Sequence, residues 1–361
     1  MSREVRLVLI AALAVAALAA VAIVLQGHPP TSEVREVTFK AVEPTEVARV
    51  AIHNAHGSYE IVASGAGYEV ADIPAALVDQ DDLFDLLTHS SAVQALFTVV
   101  SAPRDLAPYG LVEPAARVEI TYADGSALTL LVGQQERVTG NYYARVEGDP
   151  AIYLFAAERC AGFLLPAKAY IEDLVTPRLA LSSPLSALLD VTFSGGRLEA
   201  PVTVQAVATG DPEVRRAALS LGAPTHIVRG RGVYKLDQTY GVEMMGALLG
   251  ITAYDIVGYR LTPQEIQAFG FSQPTMQVEF DLKNGVNAPL EHYSLAVVRR
   301  GDAYYLTCND NGVIYAISEP AFVRIEYEKL LVRWFLSPLL LDVRAVEITT
   351  GGEEYTFVLT G

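Results

Sequence analysis

The sequence predicts an α+β protein: an N-terminal transmembrane helix followed by two tandem repeats of a mainly antiparallel β-sheet domain with packed helices. Two observations carry this. DLAPYGLVEP at 105–114 returns as EIQAFGFSQP at 265–274, so that Gly110 answers Gly270 and Pro114 answers Pro274. The apolar tract at 7–25 then fixes how the chain begins.

The repeat extends beyond the signature. Asp124-Gly125 meets Asn284-Gly285 at the same offset, and after a two-residue slip Tyr142-Tyr143 meets Tyr304-Tyr305 and Ile152-Tyr153 meets Ile314-Tyr315. Upstream, Ile61-Val62 and Tyr68 find Ile227-Val228 and Tyr234. A period this long is that of a duplicated domain rather than of a solenoid unit. The expected organisation is a cytoplasmic tail at 1–6, a transmembrane helix at 7–25, a linker at 26–46, repeat domains at 47–182 and 183–345, and a terminal hairpin at 346–361.

The tract at 7–25 is about 28 Å long as a helix, enough to cross a bilayer core. Arg3 and Arg6 precede it, which holds the N-terminus inside and places the body outside the cytoplasmic membrane. Small-x-small sites at 17–19 and 20–22 leave a cleaved signal peptide as the alternative, but the apolar run continues past them and favours a retained anchor. With 26 basic and 42 acidic residues the net charge is −16, which is expected to repel phosphate backbones and anionic lipid headgroups and makes nucleic acid an unfavourable partner.

In the first repeat, alternation at 47–52 and 59–62 around Gly57-Ser58 predicts a β-hairpin. A turn at 65–67 leads to a short strand at 68–70. Asp79 is placed to cap a helix to about His89, with Leu83, Phe84, Leu86 and Leu87 as its apolar face. A strand at 94–100 precedes the signature turn, which needs Gly110 for a left-handed backbone or a close approach. Strands at 117–122, 128–132, 142–146 and 152–155 follow, separated by Asp124-Gly125, Gly140-Asn141 and Gly148-Asp149-Pro150. A helical stretch from 156 to about 174 closes the unit. The second copy opens on a hairpin at Gly195-Gly196, carries extra residues near 198–222, and repeats the pattern with a helix at 244–249. The last hairpin is expected to add a strand pair to the edge of a sheet.

Candidate chemistry is sparse. Asp79, Asp81, Asp82 and Asp85 could converge on a cation, but acids in the first turn of a helix also complement its dipole. His53 and His56 form H-x-x-H on a hairpin, without the helix and Glu of a metalloprotease. Cys160 and Cys308 fall at non-equivalent points of the repeats and read as buried free thiols. No phosphate-cradling loop and no nucleophile elbow is present. Tyr142, Tyr143, Tyr304 and Tyr305 read as cross-strand packing. The sequence therefore assigns no catalytic, cofactor-binding or metal-binding residue. It singles out a structural motif: Tyr109, Gly110 and Pro114, with Phe269, Gly270 and Pro274.

The run Asp105, Leu106, Tyr109, Gly110, Leu111 and Pro114, then Asp124-Gly125, then Leu130, Val132 and Gly133, then Tyr142, Tyr143 and Arg145, resembles the bacterial domain-of-unknown-function family 4340. The resemblance spans 47–175 and, more weakly, 187–340. It implies a membrane-anchored partner of ABC-type export systems, found with gliding-motility-like auxiliary subunits, and it brings no catalytic residues. The expected function is a non-catalytic single-pass protein whose extracytoplasmic domains bind protein subunits of an ABC-type transporter. The alternatives are an extracytoplasmic module binding a small ligand or peptide, and an enzyme acting on cell-envelope glycan through paired carboxylates.

Overall fold

The computed structural model describes residues 36–65, 67–179, 184–221, 224–285, 287–332 and 343–358. The predicted transmembrane tract at 7–25 lies outside the described residues, and among these no helix is long and apolar enough to cross a membrane. The chain divides into two compact units, Met1–Ile171 and Glu172–Gly361. The sequence places the junction at 182/183. Residues 172–176 belong with the second unit because Val175 N donates to Ile251 O at 2.8 Å and Ala253 N to Asp173 O at 2.8 Å.

Unit 1 runs β1 (Val37–Thr38), β2 (Val47–Asn54), β3 (Gly57–Ser64), β4 (Gly67–Val70), α1 (Gln80–Ser91), β5 (Gln94–Ala95), β6 (Phe97–Val100), β7 (Ala116–Tyr122), β8 (Ala127–Gln135), β9 (Tyr142–Val146), β10 (Ile152–Phe155) and α2 (Ala157–Ala161). Eight strands form one sheet in the order β4-β3-β2-β7-β8-β9-β10-β6, every pairing antiparallel. Alternation decides the faces: in β7, Ala116, Val118, Ile120 and Tyr122 are buried while Arg117 and Glu119 are exposed. Helix α1 covers the buried face with Leu83, Leu86 and Leu87, and the Tyr122 hydroxyl donates to Ser90 O at 3.0 Å to join β7 to it.

Two elements differ from expectation. The strand predicted at 94–100 splits at Leu96: β5 pairs with β1 in a separate two-stranded sheet, while β6 closes the main sheet against β10. The helix predicted over 156–174 stops after α2 and becomes 3-10 turns at Gly162–Leu164 and Ala167–Tyr170. Pro166 lacks the N–H a helix needs there, and Asn54 Nδ2 instead holds the carbonyls of Phe163 and Leu165 at 3.0 and 2.8 Å.

Unit 2 runs β11 (Leu188–Gly195), β12 (Val202–Ala206), α3 (Pro212–Ser220), β13 (His226–Arg229), β14 (Val233–Lys235), α4 (Tyr240–Gly246), β15 (Ala253–Gly258), α5 (Pro263–Ile266), β16 (Met276–Leu282), β17 (Glu291–Arg300), β18 (Ala303–Cys308), β19 (Ile314–Ile317), α6 (Tyr327–Leu330), β20 (Ala345–Thr350) and β21 (Glu353–Val358). Its nine-stranded sheet has the order β14-β13-β12-β11-β16-β17-β18-β19-β15. Helix α3 occupies the extra residues foreseen near 198–222, and Asp211 caps it by accepting from the N–H groups of Glu213 and Val214. Helix α4 spans 240–246 rather than 244–249 and buries Met244 and Met245.

Two further expectations are corrected by the strand orders. Ile61-Val62 lie in β3, beside β2, whereas Ile227-Val228 lie in β13, with β12 between them and β11, so the upstream pairing drawn from sequence is off by one strand. The terminal hairpin does not extend a sheet edge: among the described residues β20 and β21 pair only with each other. Gly351 and Gly352, at φ 61° and 86°, supply the two left-handed residues that a two-residue hairpin turn requires.

Candidate functional site

The signature turn sits at the same place in each unit. In unit 1 a 3-10 turn at Ala107–Tyr109 ends on Gly110, whose φ of 65° and ψ of 25° are left-handed. In unit 2, α5 opens with a capping box between Thr262 and Glu265 and runs into a π-helical turn at Gln267–Phe271, which Gly270 breaks at φ 132°. Tyr109 meets Tyr143 edge to face, centroids 5.2 Å apart at 84°, and Phe269 meets Tyr305 at 5.0 Å and 77°. The residue after the glycine, Leu111 or Phe271, is buried in both, while Pro114 and Pro274 are half-buried at the exit toward β7 and β16.

What lies under the turn differs. A Cβ on Gly110 would stand 2.6 Å from the backbone N of Gln134, and a Cβ on Gly133 would overlap the carbonyl oxygen of Tyr109. The β8–β9 register slips between Val132 and Gln135, a bulge at the spot where the turn presses on β8. In unit 2 the β17–β18 register is continuous from Leu295 to Arg300, and Val298 fills the space, packed with Ile266, Phe271 and Ile314. A Cβ on Gly270 would meet only Val298 Cγ1, at 3.3 Å. Arg300 adds a cation over the Phe269 ring, 4.4 Å from its centroid. These motif residues build a packed joint between turn and sheet, with no reactive group in it.

The other sequence candidates separate into structural roles. Asp79 Oδ1 accepts from Asp81 N and Asp82 N, both at 3.0 Å, as the cap of α1. His53 Nδ1 lies 2.6 Å from Ser58 Oγ across the hairpin. Among the described residues no three His, Cys, Asp or Glu side chains gather as a metal-ligand set. Cys160 and Cys308 are buried and unpaired with each other, and burial pushes both thiols up to about 12. Neither is a thiolate at neutral pH, so neither has the nucleophilic form. Arg159, next to Cys160, is turned to Gln94 O at 2.9 Å and to Glu36.

A polar cleft in unit 2 is one the sequence does not signal. In unit 2, Arg197, Arg299, Arg324 and Lys329 gather around two adjoining clefts of about 490 and 550 Å³ that share Arg197, Glu319 and Arg324. Arg324 holds Glu319 with two parallel bonds, one of them Nε to Oε1 at 2.7 Å, and the Tyr304 hydroxyl donates to the same Oε1 at 2.7 Å. Arg197 and Lys329 each reach Glu326 Oε1 at 3.1 Å. The Tyr240 hydroxyl accepts from Glu326 N at 3.0 Å. The hydrogen bonds from Arg324 and Tyr304 hold the Glu319 carboxyl below the usual carboxylate range, so it stays ionised and keeps Arg324 in place.

Residues 69–176 match the family model described as Domain of unknown function (DUF4340). The DUF4340 match covers α1, the signature turn with Gly110, Gly133 beneath it, the β7–β10 meander and the turns after α2; unit 2 beyond residue 176 and the β2–β3 hairpin fall outside it. Neither a curated protein nor a solved structure matches the chain.

Proposed function

We propose that the chain is a non-catalytic, single-pass membrane protein whose body lies outside the cytoplasmic membrane and docks a protein subunit of an ABC-type transport system. The anchor and its orientation rest on the 7–25 tract and its flanking arginines. The transport association rests on the family resemblance. The observation that carries docking is the β20–β21 hairpin. Val346 pairs with Phe357 and Ile348 with Tyr355, so these four share one face, and they are 42–58% exposed.

A lone two-stranded hairpin is marginal in water, and an apolar face of this kind gains most by being covered. Charge selects the occupant. Residues 345–358 hold Glu347, Glu353 and Glu354 and no Lys or Arg, so a second copy would set acid against acid. The fitting partner is another protein that presents an apolar surface rimmed by Lys or Arg.

We also read the two units as copies of one domain. In support, removing β14 leaves β13-β12-β11-β16-β17-β18-β19-β15 in unit 2, and this order corresponds strand for strand to that of unit 1.

The test is co-purification from mild detergent with identification of the recovered subunits. The full chain is expected to bring down a permease or auxiliary subunit, and Ile348→Glu with Phe357→Glu to lose it. Recovery of no transporter subunit, or equal recovery by the variant, overturns the docking reading.

A further inference from the structure

The four cations of the unit 2 cleft stand out in a chain carrying a net charge of −16. Their arrangement is layered. The side chains of Arg197, Arg324 and Lys329 are 62%, 66% and 53% exposed, whereas the carboxylates that hold them, Glu319 and Glu326, are 30% and 36% exposed. At these three cations the acid is the more buried partner, whereas at Arg299 the order is reversed, its partner Asp302 being fully exposed. Glu243 and Asp302 stand at the rim and keep the local sum of charges near zero. A surface ion pair of this kind contributes about 0–1 kcal/mol to folding, too little to explain four such residues around one opening.

We propose that this cleft is a binding site for a ligand carrying a phosphoryl group. A guanidinium has five N–H donors. The contacts described engage two nitrogens of Arg324 with Glu319 and one of Arg197 with Glu326, while Arg299 turns Nε to Gly301 O at 2.9 Å and Nη2 to Asp302 Oδ1 at 3.5 Å. Each arginine is therefore oriented by one edge and presents another. A tetrahedral oxyanion offers several acceptors to several converging donors, which a carboxylate cannot match, and arginine forks suit it. The walls are stiffened by Tyr304, buried beneath the Arg299 guanidinium at 5.8 Å, and by Tyr240, tied to Glu326.

The site is particular to unit 2. By strand register, Gln134 stands in unit 1 where Arg299 stands here, since Ala116 pairs with Val132 and Met276 with Val297. After the same two-residue slip that aligns the tyrosine pairs, Glu319 and Arg324 correspond to Ala157 and Gly162. The proposal stands apart from the hairpin docking reading and shares no residue with it.

The phosphoryl group could belong to a soluble phosphate compound or to a phospholipid headgroup, and calorimetric titration of the full chain in mild detergent separates them. The probes are inorganic pyrophosphate, short-chain phosphatidylglycerol and, as control, short-chain phosphatidylcholine. Saturable binding of at least one of the first two is expected, weakening as salt is added. In Arg197→Gln with Arg324→Gln, and separately in the exposed Arg299→Gln, binding is expected to fall at least about tenfold with the thermal midpoint kept. Binding of pyrophosphate assigns a soluble source, and binding of phosphatidylglycerol but not phosphatidylcholine assigns a headgroup. No saturable binding of either anionic probe overturns the proposal, as does equal affinity in Arg299→Gln.

Discussion

The signature turn is tight in unit 1 and loose in unit 2, although both keep glycine, aromatic residue and proline in the same places. In unit 1 the turn lies against a bulged β8 with glycine on both sides of the contact, Gly110 above and Gly133 below. In unit 2 the β17 strand is regular and Val298 replaces the lower glycine, so the turn stands off by the thickness of a side chain. One motif has thus two packing solutions, and its glycines are required for different reasons. At Gly110 the obstacle is the Gln134 backbone; at Gly270 it is a φ of 132°, which side-chain-bearing residues rarely adopt.

The largest expected break is at the lower position. Gly133→Val forces a side chain into the Tyr109 carbonyl and is expected to cost about 3 kcal/mol or more. The opposite change, Val298→Gly, leaves a void among Ile266, Phe271 and Ile314 and is expected to cost about 2 kcal/mol. Calorimetric melts of residues 31–361 check both. A Gly133→Val variant that melts with the parent would remove the distinction between the two joints.

Next in size are the upper glycines, where Gly110→Ala and Gly270→Ala are each expected to cost about 1–2 kcal/mol. A second mutation separates the causes. Because the strain at Gly270 is in the backbone, adding Val298→Ala is expected not to restore stability. A double-mutant cycle with a large favourable coupling would show that contact with Val298, and not φ, is what excludes a side chain.

The aromatic contacts come third. Tyr109→Leu and Phe269→Leu keep apolar bulk and lose the edge-to-face pair, an expected loss of about 1 kcal/mol each. The Arg300 guanidinium over Phe269 has no counterpart over Tyr109 among the described contacts, so the unit 2 variant should lose slightly more. Equal midpoints for the two variants would deny Arg300 a part in the joint.

The smallest effect is with pH and falls on unit 2. His226 is buried with Nε2 3.1 Å from Leu188 O, and burial lowers its pKa below the ordinary 6.5. The unfolded chain then binds more protons than the folded one below about pH 6.5, so this contribution is present above that pH and is lost as pH falls through the folded value. Burial raises the neighbouring Asp190 carboxyl, which acts in the opposite sense on acidification. Midpoints measured between neutral pH and the folded value should decline in the parent and decline less in His226→Gln. Parallel curves would place the acid sensitivity elsewhere.

Much of this architecture was legible because its signals are local. Asp124-Gly125 sits in the β7–β8 turn, Asp79 caps α1, and the strands of the meander fall where alternation places them. Less visible were features set by partners distant in sequence. The split at Leu96 depends on β1, nearly sixty residues upstream, and the 3-10 turns after α2 depend on Asn54. Gly133 appeared in the sequence as one letter of a motif, and its reason, the Tyr109 carbonyl, lies across the turn. The cation cleft gave no signal at all, since Arg197, Arg299 and Arg324 come from separate strands and turns with no spacing to read. The hairpin was seen, but a pattern of alternation reports a strand pair without saying which sheet will take it.

The two buried cysteines also have a practical consequence. Cys160 belongs to unit 1 and Cys308 to unit 2, so each unit carries its own shielded thiol. Alkylation can reach a thiol only when its surroundings part, and the rate then reports how often that unit opens. Mass spectrometry of the labelled peptides would time the opening of each half in one sample, with no engineered probe, and would read any difference between the tight and loose joints as two clocks in one chain.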